Sequence, residues 1–127
     1  MKILLLATLL LLASCSDSRP HSPPEEIPEG LKLAGRSQCL TCHAVDRKVI
    51  GPSWNDVSAR YNAEIASGRI SRAEMEEKLA RKIAMGGRGN WTSVTGGLFM
   101  PPNYPRVPME NIRKLSKFIL SLGQPRN

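Results

Sequence analysis

The sequence predicts an all-α domain with three or four main helices. No stretch of any length alternates apolar and polar residues with a period of two, which removes the signature of half-buried strands. Three segments instead space their apolar residues for one helical face: Trp54, Val57 and Tyr61; Met75, Leu79 and Ile83; and Met109, Ile112, Leu115, Ile119 and Leu122. Ser71 and Glu74 add a capping box, a local signal for a helix start. A chain of 127 residues supports one such domain, and its composition is that of neither a disordered chain nor a coiled coil.

Taken from the beginning, Met1-Lys2 is followed by an apolar run from Ile3 to Ala13, interrupted only by Thr8. The run is too short for a stable membrane span and reads as a secretory signal over residues 1–14. It ends in Leu12-Ala13-Ser14-Cys15, which resembles a bacterial lipobox, so Cys15 would be acylated and become the mature N-terminus. The plainer alternative is a cysteine that happens to end an ordinary signal peptide. Residues 15–30 hold prolines at 20, 23, 24 and 28 and almost nothing apolar, which makes an extended, solvated tether. At about 3 Å per residue it would reach on the order of 40 Å from a membrane. Ser16 and Asp17 leave the destination open between inner and outer membrane.

The domain proper is expected over residues 31–127, where 16 basic residues face 7 acidic ones, a balance of +9 against +7 for the whole chain. Such an excess favours partners with acidic docking surfaces and speeds encounter with them. Nucleic acid is not an expected partner of an exported chain.

From Leu31 to Gln38 a short helical pattern leads into Cys39-Leu40-Thr41-Cys42-His43. Gly35 either admits the close approach of another helix or is tolerated in a turn. The five-residue motif is the Cys-x-x-Cys-His arrangement of covalent c-type haem attachment. Two thiols three positions apart can each add across a porphyrin vinyl group, and the next residue brings an imidazole to the iron. A redox dithiol would call for a βαβ context that is not visible. A zinc site would have to recruit Cys15 and His21 from the tether, and a plain disulfide is the remaining alternative.

Gly51-Pro52 is a turn signal, and Ser53 can cap the helix that carries Trp54. Asn62 to Ile70, with Gly68, reads as a loop. The helix after Ser71 backs its apolar face with Ala80 and Ala84, offers Glu74–Lys78 and Glu77–Arg81 as i,i+4 pairs, and ends at Gly86-Gly87. Arg88-Gly89-Asn90-Trp91 then opens an irregular stretch running to Phe99-Met100-Pro101-Pro102-Asn103, where the prolines hold the methionine on a rigid non-helical segment. The last helix runs from about Pro108 to Leu122 with Gly123 as its stop, turning Arg113, Lys114 and Lys117 to water.

Cys39-x-x-Cys-His-Ala-Val-Asp, Val49-Ile-Gly-Pro, Asp56-Val-Ser-Ala-Arg-Tyr and Met100-Pro-Pro-Asn together resemble the short class I bacterial cytochromes c, over roughly Leu31 to Gly123. The resemblance implies a small cytochrome c fold, its helices wrapped around one covalent haem c, with the last helix crossing the first. It implies Cys39 and Cys42 as thioether attachments and His43 and Met100 as the iron ligands, with the Pro52 carbonyl accepting from His43 Nδ1. It further implies that Trp91 and Lys82 meet the haem propionates and that Asn103 orients the Met100 sulfur. Eight residues separate Trp91 from Met100, more than in close relatives, and Trp91 has a plain core role as its alternative. Met75 and Met85 fall within a helix and read as core or surface, and Met109 as a helix start.

The function so implied is that of a single-electron carrier of the bacterial cell envelope rather than an enzyme, monomeric, on the periplasmic side and held by its lipid. Arg47, Lys48 and Arg106 are candidates for a basic docking rim. The alternatives are a dedicated haem c subunit of an oxidoreductase complex, and an open-site haem enzyme or sensor if Met100 is not bound.

Overall fold

The computed structural model describes residues 26–123, so the signal segment, Cys15 and most of the tether lie outside it. Four main helices and one single-turn helix follow in order: α1 (Glu29–Arg36), α2 (Trp54–Ala66), α3 (Arg72–Met85), α4 (Thr92–Thr95) and α5 (Met109–Ser121). Two 3-10 turns, Cys39–Thr41 and Gly89–Trp91, complete the set. Among the described residues the only β pairing is two isolated bridges, His43 with Lys48 and Gly87 with Met100. No described helix is long and apolar enough to cross a membrane.

Helix α5 is the hub, packing on α1, α2 and α3. It buries Ile112, Leu115, Ile119 and Leu120, while Met109 and Leu122, expected at the ends of its stripe, are only partly covered. The last helix does meet the first, but Gly35 is not the point of approach. An added Cβ at Gly30 would fall 2.1 Å from Phe118 Cγ, whereas one at Gly35 would meet only Leu40 at 3.8 Å. The small residue is needed where α1 begins, and α1 accordingly starts two residues before Leu31.

Asn62 to Ala66, expected as loop, is the last part of α2. The reason is tertiary. Asn62 Nδ2 donates to the Ser58 carbonyl at 2.9 Å and to the Leu120 carbonyl at 3.0 Å, while Ser58 Oγ donates to the same Leu120 carbonyl and accepts from Gly123 N–H at 2.8 Å. The polar residues of α2 thereby satisfy the end of α5, whose last carbonyls have no partner within the helix. Ser116, fully buried in α5, donates in the same way to the Glu76 carbonyl of α3.

Helix α3 carries both halves of its capping box and buries Met75, Leu79, Ala80, Ile83 and Ala84. Its expected i,i+4 ion pairs are replaced by ones between helices, Lys78 with Glu64 of α2 at 3.6 Å and Arg113 of α5 with Glu77 at 3.2 Å. Packing the helices together brings these carboxylates closer than the intrahelical alternatives.

Candidate haem site

After α1, Gln38 takes the left-handed conformation at φ 62°, which turns the chain into the 3-10 turn at Cys39–Thr41. The Cys39 carbonyl then accepts from both Cys42 N–H and His43 N–H, at 3.2 and 3.0 Å. This winding points Cys39, Cys42 and His43 into one cleft. No disulfide joins Cys39 and Cys42, so the disulfide alternative is not the one adopted.

The loop from His43 to Pro52 closes on itself. Ile50 and Gly51 N–H groups both donate to the Cys42 carbonyl, and His43 Nδ1 lies 2.9 Å from the Pro52 carbonyl. With Nδ1–H donated there, Nε2 carries the lone pair. A Cβ at Gly51 would stand 2.3 Å from His43 Cε1, so the ring is seated directly on that backbone. Trp54 stacks on it at 5.8 Å and is itself met edge-on by Phe118 at 6.1 Å. Burial lowers the imidazole pKa, only partly offset by the Pro52 bond, which keeps the ring uncharged at neutral pH, as ligation of a metal requires.

Met100 reaches the same cleft from a loop held by the end of α3. Gly87 and Met100 exchange both backbone hydrogen bonds, at 2.8 and 3.2 Å, and the Ala84 carbonyl accepts from Asn103 and Tyr104 N–H groups. Gly86 ends α3 at φ 70°, and an added Cβ would lie 2.2 Å from the Met100 carbonyl. The glycine pair does more than stop the helix; it is the surface on which the methionine loop is laid. That role has no local signal beyond the two glycines themselves.

The cleft takes in about 930 Å³ of space between protein atoms, part of it open solvent. Its floor is apolar, from Trp54 and Val57 of α2, Leu79 and Ile83 of α3, and Leu115 and Ile119 of α5. Among the described residues its only charged lining residues are Lys82 and Arg88. Two thiols, an uncharged imidazole with its far nitrogen free and a soft thioether, set in one apolar cleft, suit a large planar apolar ring bearing iron. Among the described residues no three His, Cys, Asp or Glu side chains gather as a metal-ion site.

The other expected site residues are distributed more widely. Trp91 lines the cleft with the Arg60 guanidinium 5.6 Å over its ring. Lys82 lines the edge, and its Nζ donates to the Gly86 and Gly87 carbonyls. Asn103 is buried behind the cleft, its amide donating to the Ile83 and Pro101 carbonyls. Arg106, expected on a solvated rim, is exposed and is also bonded to the Ser37 carbonyl and to Asn103 Oδ1. Arg47 pairs with its neighbour Asp46, and Lys48 is exposed. Met75 is buried and Met85 largely exposed, so neither faces the cleft, and Met109 is partly covered at the start of α5. The irregular stretch after Trp91 contains α4, whose C-cap Gly96 is left-handed at φ 63°; Arg88 Nε closes it by donating to the Gly97 carbonyl.

A family model described as cytochrome c matches residues 27–123. The chain belongs to the cytochrome c family. It is 37% identical over 92 residues to cytochrome c-551 of Allochromatium vinosum, covering 72% of this chain and 84% of that one. To cytochrome c-551 of Azotobacter vinelandii it is 39% identical over 92 residues, 72% and 95% of the two chains. The crystal structure of wild-type Nitrosomonas europaea cytochrome c552 superposes with a TM-score of 0.59 at 33% identity, over 72% of this chain and 98% of that one. As a small cytochrome c, the protein carries one covalently bound haem c and its iron, and is a single-haem electron carrier acting between redox partner proteins, not an enzyme.

Proposed function

We propose that His43 through Nε2 and Met100 through its sulfur would hold the haem iron, and that Cys39 and Cys42 would hold the ring through thioethers. The observation that carries this is the convergence of the Cys39–His43 turn and the Met100 loop on one apolar cleft. When bound, haem supplies a one-electron iron couple, and thioether ligation favours its ferrous state. The Pro52 carbonyl fixes the His43 ring and raises its basicity as a ligand. Trp54 and Val57 of α2, Leu79 and Ile83 of α3, and Leu115 and Ile119 of α5 would give the ring an apolar, poorly hydrated surrounding. Trp91 and Lys82 act toward the propionates from the edge of the cleft, and Asn103 positions Met100 by holding its loop to α3.

The finer setting belongs to the same proposal. The protein is exported by residues 1–14, acylated at Cys15 and tethered on the periplasmic side of a bacterial membrane, monomeric, and free to meet partners with acidic docking surfaces. The absence of carboxylates from the cleft lining and the exposed apolar residues Ile50, Leu98 and Phe99 at its edge support a docking face there. A cysteine left over at position 15, outside the described residues, supports the lipid.

Optical spectra of the haem-loaded protein test the ligand pair. The ferric wild type should show a weak far-red band that Met100→Ala abolishes, and the ferrous wild type should bind carbon monoxide far more weakly than Met100→Ala does. A wild type without that band that binds carbon monoxide readily would make the site an open one.

A further inference from the structure

Met100 sits on a segment with no regular structure of its own, and the described residues show what keeps it in place. Asn103, three residues on, is 7% exposed and has its side-chain groups engaged. Its Nδ2 donates to the Ile83 carbonyl at 3.0 Å and to the Pro101 carbonyl at 3.3 Å, and its Oδ1 accepts from Arg106 Nη2 at 2.5 Å. The other arm of the same guanidinium, Nη1, donates at 3.0 Å to the carbonyl of Ser37, 69 residues away in sequence. Ser37 is buried and stands two residues before Cys39, whose thiol is directed at the same carbonyl at 3.9 Å.

One planar fork therefore joins the chain entering the Cys-x-x-Cys-His turn to the chain leaving Met100. A fork with two donors suits this bridge as a lysine does not, since an ammonium offers no pair of donors in fixed parallel geometry. With the guanidinium removed, Oδ1 loses its charged donor and the Asn103 side chain loses its link to the Ser37 carbonyl, so only the amide bonds to Ile83 and Pro101 still anchor the loop through this side chain.

We propose that Arg106 is a positioning residue for the distal ligand, a clamp that holds the Met100 loop at a fixed distance from the haem-attachment turn by way of Asn103 and Ser37. This rests on Met100 being the distal ligand. Arg106 is exposed, yet its bonds to two segments give it a role beyond that of a solvated cation: it favours the ligand-bound arrangement over one in which Met100 has left the iron.

The test uses the full haem-loaded chain as wild type, Arg106→Ala, Arg106→Lys and Met100→Ala. The far-red ferric band is followed on heating beside far-ultraviolet circular dichroism, and carbon monoxide binding is measured on the ferrous form. In Arg106→Ala the band should disappear well before helicity does, and carbon monoxide should bind about tenfold more readily than to wild type, as expected for loss of one charge-assisted bond. Arg106→Lys should keep the charge and recover only part of the band's persistence. If band and helicity are lost together in both Arg106 variants and carbon monoxide binding stays at the wild-type level, the clamp is overturned and Arg106 contributes only to folding. Should Arg106→Ala fail to fold, Arg106→Lys decides by the same two measurements. Failure of the Met100 assignment is separately visible, as a wild-type band that is absent or that survives in Met100→Ala.

Discussion

At Gly86 two constraints coincide: the backbone is left-handed at φ 70°, and an added Cβ would fall 2.2 Å from the Met100 carbonyl. A side chain there must both adopt a disfavoured conformation and push away the loop that carries the proposed ligand. Gly86→Ala should therefore cost about 1–3 kcal/mol in denaturant unfolding and weaken the far-red band. Unchanged stability and an unchanged band would mean that the loop shifts freely. At this scale the Cys39–His43 motif was fully legible, because its chemistry depends only on spacing along the chain. The other attachments of the site were not. Nothing local says that the Asn103 amide goes to Ile83, or that Arg106 reaches back to Ser37, since both are meetings of distant segments.

Among the elements, α3 is the one whose start is written most plainly. Ser71 Oγ accepts from the Glu74 backbone N–H, and Glu74 returns its carboxylate to the Ser71 N–H at 2.9 Å. Ser71→Ala should lower stability by about 1 kcal/mol near neutral pH. The bonds from Ser71 hold the Glu74 carboxyl below its usual value of 4.5, so the folded state prefers it ionised. That contribution is full above the unfolded value and is lost as pH falls through the folded one. The gap between wild type and Ser71→Ala in thermal melts should thus narrow below about pH 4.5; a gap constant down to acid would show that the carboxylate takes no part. The end of α2 was misread for the opposite reason. Asn62 looks like a breaker, yet its amide finds the Leu120 carbonyl of α5, and the helix continues to Ala66 before Gly68 turns at φ 73°. Tertiary partners overrode a local preference.

For the molecule as a whole, the proposed docking face combines charge with the apolar edge of the cleft. Among the described residues Lys82 and Arg88 line the cleft with no carboxylate beside them in its lining, and Leu98 and Phe99 stand 60% and 64% exposed at its edge. Electron transfer to an acidic acceptor should slow as ionic strength rises from about 0.01 to 0.15 M, where the screening length falls from about 30 to 8 Å. Arg88→Glu should lower the low-salt bimolecular rate on the order of tenfold, with the difference shrinking at high salt. Stopped-flow rates insensitive to both salt and the substitution would rule out an acidic docking partner.

By itself the sequence determined the helical class, the capping box of α3, the attachment motif and the methionine held before two prolines, all set by spacing and backbone chemistry within a few residues. Only the tertiary structure decided that Gly30 rather than Gly35 meets α5, that Gly86 and Gly87 carry the Met100 loop, and that Arg106 joins the two halves of the site. Helix periodicity and motif spacing are local properties of a chain. Which backbone passes within bonding distance of which carbonyl is settled by how α1, α2 and α3 pack on α5.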